Sequence, residues 1–150
     1  MLTGALLSLS LQAEQPAPRV FTAAQAEAGK LAYERTCGQC HTFTLTGRKG
    51  DPGETPPVST LPEHYQKFIV RGVVAPFIGP VFLERWGGKS AGRLVQRFDD
   101  TAQDPYFKFE SMNDEVVVNI TAYVLQRNGA KPGDLPLTRQ TRDIVNDLLR

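Results

Sequence analysis

The sequence predicts an all-α domain of short helices joined by long loops, and three observations carry that prediction. Apolar residues recur at helical spacing through Val116, Ile120, Tyr123 and Val124, and one side of a second segment carries Leu94, Val95 and Phe98. Helix start and stop signals bracket such stretches, among them Thr22 with Gln25, Ser90, Gly72 and Gly129, whereas strand signals are weak throughout. Eleven prolines and thirteen glycines then break the chain into loops. The length, 150 residues, suits one domain with a real core and is short for two.

Taken in order, 1–13 is apolar, about a dozen residues long and ends in the small Ala13, like the hydrophobic part of a secretory signal peptide. It lacks a basic leader, since no lysine or arginine precedes Arg19, and it is too short to span a membrane. Residues 14–20, with Pro16 and Pro18, read as a linker to a core domain over 21–130. Thr22 and Gln25 form a capping box for a helix reaching Arg35, with a small-residue face of Ala24, Ala28, Leu31 and Ala32. Gly29 inside that helix is unfavourable in isolation, and close approach of another helix would justify it. Residues 42–61 read as loop, and Pro62 opens a helix over 63–71 closed by Gly72. The apolar run 73–83 is interrupted by Pro76, Gly79 and Pro80, which predicts an irregular pocket wall. Ser90 caps the next helix, 99–109 reads as loop, and the last core helix runs over 114–128 to Gly129. A linker at 131–136 leads to an amphipathic helix over 138–150 through Ile144, Val145, Leu148 and Leu149, expected to dock on its own domain. There are no internal repeats.

The chemistry concentrates in Cys37-Gly38-Gln39-Cys40-His41, the Cys-x-x-Cys-His pattern of covalent c-type haem attachment. Two thiols at this spacing reach the two vinyl groups on one porphyrin edge, and the next residue can offer its imidazole to the iron. A thioredoxin-like thiol pair would sit near a βαβ pattern, which is absent here. A zinc site needs about four ligands, and the chain supplies only Cys37, Cys40, His41 and His64, with Cys40 and His41 adjacent and awkward for one ion. Seventeen basic and sixteen acidic residues leave the chain nearly neutral, with no single-sign run to suggest nucleic acid.

Over about 21–133 the chain resembles a class I cytochrome c: a first helix with Gly29 and Tyr33, the motif from Cys37 to His41, a proline- and glycine-rich wall, and a last helix containing Ala122-Tyr123-Val124-Leu125. Gly79-Pro80-Val81-Phe82, Arg85-Trp86-Gly87-Gly88-Lys89-Ser90 and Ala122 to Gly129 are similar to cytochrome c domains that accompany quinoprotein dehydrogenases. The resemblance implies helices and loops wrapped around one covalent haem c. It also implies that the first and last helices cross at Gly29 and Tyr123, and that the cofactor is held by Cys37, Cys40, His41, Pro76, Trp86 and Tyr123. Pro76 is the candidate for the carbonyl that orients the ligand histidine. The sixth ligand departs from the family: the aligned methionine position falls near Ala102, where there is no methionine. Met112 is then the candidate thioether ligand, although it stands where the family usually has a buried leucine and core packing is its other reading; His64, Tyr106 and Lys108 are alternatives, and a five-coordinate iron is also open.

The function expected from motif and resemblance is a periplasmic, or otherwise exported, single-haem electron carrier rather than an enzyme. Its partner would be a redox protein such as a dehydrogenase or respiratory complex, with no nucleic acid and no integral membrane segment. The alternative is a haem-based sensor or small-ligand binder with an open or displaceable sixth position.

Overall fold

Caps and glycine stops mark out seven short helices among the described residues. They are α1 (Ala23–Arg35), α2 (Gly38–His41), α3 (Glu63–Gln66), α4 (Pro80–Trp86), α5 (Ala91–Ala102), α6 (Asp114–Arg127) and α7 (Val145–Leu148), with a 3₁₀ turn at Val58–Thr60. This is the arrangement in the computed structural model, which describes residues 16–48, 56–67, 69, 72–105 and 112–150. Among them there is no strand, only isolated antiparallel bridges between Arg48 and Val74 and between Ser90 and Ile144. The expected all-α class holds at that level.

The capping box of α1 is formed: Gln25 N–H donates to Thr22 Oγ1 and Thr22 N–H to Gln25 Oε1, each at 3.1 Å. The buried face differs from the small-residue face read from the sequence. Ala26, Gly29 and Tyr33 are buried, while Ala24 and Ala28 are exposed and Leu31 keeps 48% of its surface. Apolar character alone did not rank these faces; the position of α6 does. The two helices cross where Gly29 meets the backbone of Asn119, and a Cβ on Gly29 would collide with the Asn119 carbonyl oxygen. The glycine expected to admit another helix does so.

On α6, Asn113 accepts from Val116 N–H at 3.0 Å, Asp114 and Glu115 occupy the first turn, and Gly129 ends the helix at φ +109°. Ile120, Tyr123 and Val124 are buried as expected, joined by Val117, Thr121 and Leu125, while Val116 is half-buried. Ser90 Oγ accepts from Arg93 N–H at 3.3 Å and so caps α5, whose buried stripe is Leu94, Val95, Phe98 and Ala102.

Four expectations change. The segment 73–83 is not wholly irregular, because Pro80 stands in the first turn of α4, where its missing N–H has no helical partner to lose. The helix begun at Pro62 spans only Glu63–Gln66; positions 68, 70 and 71 lie outside the described residues, and Gly72 does take the left-handed φ of +64°. The loop read from position 99 starts at Gln103, since α5 continues to the buried Ala102. The C-terminal segment is helical only over Val145–Leu148.

The reason for the last change is backbone competition. Ala91 and Gly92, in the first turn of α5, have N–H groups without helical acceptors, and they donate to the carbonyls of Asp143 and Thr141 at 2.9 Å each. Val145 and Asn146 return bonds to the Lys89 and Gly87 carbonyls at 3.0 Å. The segment docks on its own domain, burying Leu137, Val145 and Leu148. Among the described residues, no helix is long and apolar enough to cross a membrane.

Candidate functional site

The motif is one helical turn folded against the end of α1. Cys40 N–H and His41 N–H both donate to the Cys37 carbonyl, at 3.2 and 2.8 Å. Gly38 is buried, and a Cβ there would press on the Phe43 ring and the Tyr33 carbonyl. Thr36 donates its hydroxyl to the Ala32 carbonyl at 2.7 Å and lies 3.7 Å from Cys37 Sγ. Burial pushes both thiols above their ordinary value; at Cys37 the Thr36 hydrogen bond opposes it, and at Cys40 the nearby Arg48 guanidinium does.

Thr42, which follows His41, adopts φ 64° and ψ 156°, a combination that disfavours any side chain. Its surroundings hold it there. Its hydroxyl lies 3.1 Å from that of Thr44 and 3.0 Å from that of Thr46, and it accepts from Thr46 N–H at 3.2 Å. The fully buried Tyr33 donates its hydroxyl to the Thr42 carbonyl at 2.8 Å. Burial drives the Tyr33 phenol far above its usual value, so it stays a donor.

His41 Nδ1 lies 2.8 Å from the Ala75 carbonyl oxygen. A carbonyl only accepts, which assigns the proton to Nδ1 and leaves Nε2 as the basic nitrogen. Burial pulls the imidazole down to about 4, against the opposing effect of the Ala75 bond, so the ring is neutral at pH 7. Its face stacks on Phe77, centroids 3.8 Å apart and planes 17° off parallel.

The histidine's acceptor therefore belongs to Ala75, not to Pro76. Gly47 explains how that carbonyl arrives: with φ +72° and no Cβ, it lets the 74–76 backbone pass against it. The Arg48–Val74 bridge fixes the register through N–H···O bonds of 2.9 and 2.8 Å. Arg48 also donates to the Cys40 and Gln39 carbonyls at 3.0 Å each, tying the motif turn to this wall.

These groups border a cavity of about 530 Å³, within the size range of cofactor pockets. Cys37, Cys40 and His41 line it together with Pro76, Trp86 and Met112, so six of the residues singled out from the sequence meet there. Phe77, Phe82 and Phe98 make much of its surface apolar, and Met112 is buried at 6% exposure. Trp86 is half-buried, with Lys89 Nζ 4.7 Å above its ring.

Two candidates are elsewhere. Tyr123 does not line the cavity; it packs behind it on Tyr33, with ring centroids 5.4 Å apart. His64 is exposed, its ring tilted 45° to that of Tyr65 with centroids 4.1 Å apart, and its neighbour Tyr65 reaches the cavity instead. Tyr106 and Lys108 lie outside the described residues. Among the described residues, no group of three or more His, Cys, Asp or Glu side chains is arranged to hold a metal ion.

Ala75, Phe77 and Arg48 were missed from the sequence. Ala75 had one usable signal, its place before Pro76, where the backbone is held extended and its carbonyl is free of helix. Asn128, just past the end of α6, donates its side-chain amide N–H to the Phe77 carbonyl at 2.8 Å, and its amide oxygen accepts from Gly79 N–H at 3.1 Å. The end of α6 thus pins the cavity wall.

Comparison with models of known protein families, with curated proteins and with solved structures finds no match to this chain.

Proposed function

We propose that this chain is a single-haem c-type cytochrome of the class I type, exported to the periplasm, which passes electrons between a dehydrogenase or respiratory partner and another redox protein. The observation that carries the reading is His41: a neutral imidazole at the edge of an apolar cavity, flanked by two cysteines, with Nδ1 engaged by Ala75 and Nε2 left to ligate. The residues present fit haem. Cys37 and Cys40 would hold it through two thioether bonds, each thiol adding its sulfur and hydrogen across one vinyl group. Bound there, haem supplies the reversible one-electron change between ferric and ferrous iron.

The protein's own part is orientation and exclusion of water. Ala75 sets the imidazole plane, Phe77 supports its face, and the aromatic lining keeps the site in a low dielectric. Met112 is the thioether on the cavity and would supply the second protein ligand to the iron. Val73 and Val81, 51% and 59% exposed, stand at the cavity mouth and suit a small, transient partner interface.

The test is covalent colour. The exported protein stays red after denaturation and acid extraction, and a Cys37→Ala/Cys40→Ala double variant does not; a wild-type protein bleached by extraction overturns the reading. Ligation is tested by Met112→Ala, which converts a low-spin spectrum to one that binds carbon monoxide readily. A wild-type protein that is already high-spin and binds carbon monoxide favours the ligand-binding sensor, whose support is the missing methionine at Ala102.

A further inference from the structure

The C-terminal segment after Leu137 is packed more intimately than a tail needs to be. A Cβ on Gly92 would collide with the Arg139 carbonyl, and one on Gly87 with the Asn146 side chain, so two glycines admit it against the start of α5. From this seat Arg139 reaches across two helices. Its Nη1 donates to Asp99 Oδ2 at 3.0 Å and to Gln96 Oε1 at 3.3 Å, both on α5. Its Nη2 donates to Asp114 Oδ1 at 2.6 Å, at the first residue of α6. Asp114 stands two residues after Met112. Gln103 Nε2, just past α5, lies 3.5 Å from both Asp99 Oδ1 and the Met112 carbonyl oxygen. One guanidinium therefore joins the last turns of α5 to the point where the chain leaves Met112 and enters α6.

We infer that Arg139 is a positioning residue for the Met112 thioether: by clamping Asp99 to Asp114 it fixes where Met112 meets the cavity, so the C-terminal segment would set how firmly that thioether binds iron. The inference rests on the haem reading above. Three features make the clamp effective. The Arg139 side chain keeps 23% of its surface and Asp99 only 15%, so that pair is poorly screened. A planar guanidinium can serve two carboxylates at once, which an ammonium at the end of a lysine does less well. Met112 itself is buried and leads directly into the Asn113 cap, which leaves little slack between the clamp and the thioether.

The test uses the full haem-loaded chain and imidazole as a probe that competes with Met112 for the iron. Arg139→Gln is expected to bind imidazole about tenfold more tightly than wild type, the equivalent of one lost charged hydrogen bond, with a weaker sulfur-to-iron charge-transfer band. Arg139→Lys falls between them, and Met112→Ala binds tightest. Asp114→Asn, at a carboxylate with 79% of its surface exposed, shifts affinity in the same direction by less and serves if Arg139→Gln does not fold. A lower melting temperature in these variants with unchanged imidazole affinity and sulfur band overturns the inference, because a merely structural role predicts that pattern. A Met112→Ala spectrum identical to wild type overturns it as well. Colour lost on acid extraction is a different failure, that of the haem reading itself.

Discussion

Tyr33 illustrates how a single buried atom supports the site. Its hydroxyl serves the carbonyl of Thr42, the residue held in a strained backbone conformation directly after His41. Tyr33→Phe leaves that carbonyl without its donor and is expected to destabilise the protein by about 1–2 kcal/mol, read as a lower denaturation midpoint with an unchanged slope. Asp99 gives the pH dependence. Its hydrogen bond from Arg139 depresses its carboxyl, so folding is stabilised above the ordinary aspartate range and that contribution disappears as pH falls through the native pKa. Asp99→Asn is expected to lose about 1–2 kcal/mol at pH 7; the gap to wild type should start to narrow only below about pH 4 and should close once the pH lies below the depressed native pKa of Asp99. Side chains with rare chemistry were readable at this scale: Cys37, Cys40 and His41 announce themselves by type and spacing. The Ala75 carbonyl did not, because every residue carries one and only the fold selects which is used.

At the scale of elements, the crossing of α1 and α6 depends on the missing side chain at Gly29. Gly29→Ala improves intrinsic helix propensity by about 1 kcal/mol, yet it forces two backbones apart and should cost a net 2 kcal/mol or more. A melting temperature equal to or above wild type would contradict this account of the crossing. Gly29 was legible because a glycine inside a helix needs a reason, and Thr22, Ser90 and Gly129 were legible because caps are local chemistry. The face of α1 was not: Ala24 and Ala28 look as apolar as Ala26, and only the partner helix separates them. In α4 and the C-terminal segment, local signals were outweighed by longer-range ones. The N-cap residue of α4, Gly79, is held by Asn128 at the far end of α6, and the 141 and 143 carbonyls serve the open end of α5, which leaves only Val145–Leu148 to form a helix of its own.

For the molecule as a whole, the C-terminal segment belongs to the core it covers. Deleting 137–150 removes the buried Leu137, Val145 and Leu148 and uncaps the first turn of α5, a loss on the order of 5 kcal/mol and comparable to the stability of a domain. Hydrogen exchange in α5 is expected to rise sharply in the truncated protein; unchanged protection there would mean that the segment is dispensable. What the sequence alone determined is the helical class, the caps and the reactive trio at positions 37, 40 and 41, because each of these is encoded within a few neighbouring residues. Tertiary structure decided that Ala75 orients His41, that Met112 reaches the cavity while His64 and Tyr123 do not, and that Arg139 joins α5 to α6. Those pairings link positions tens of residues apart, and their partners are backbone carbonyls, ordinary carboxylates and apolar faces that occur many times in the chain, so only packing distinguishes the members that meet.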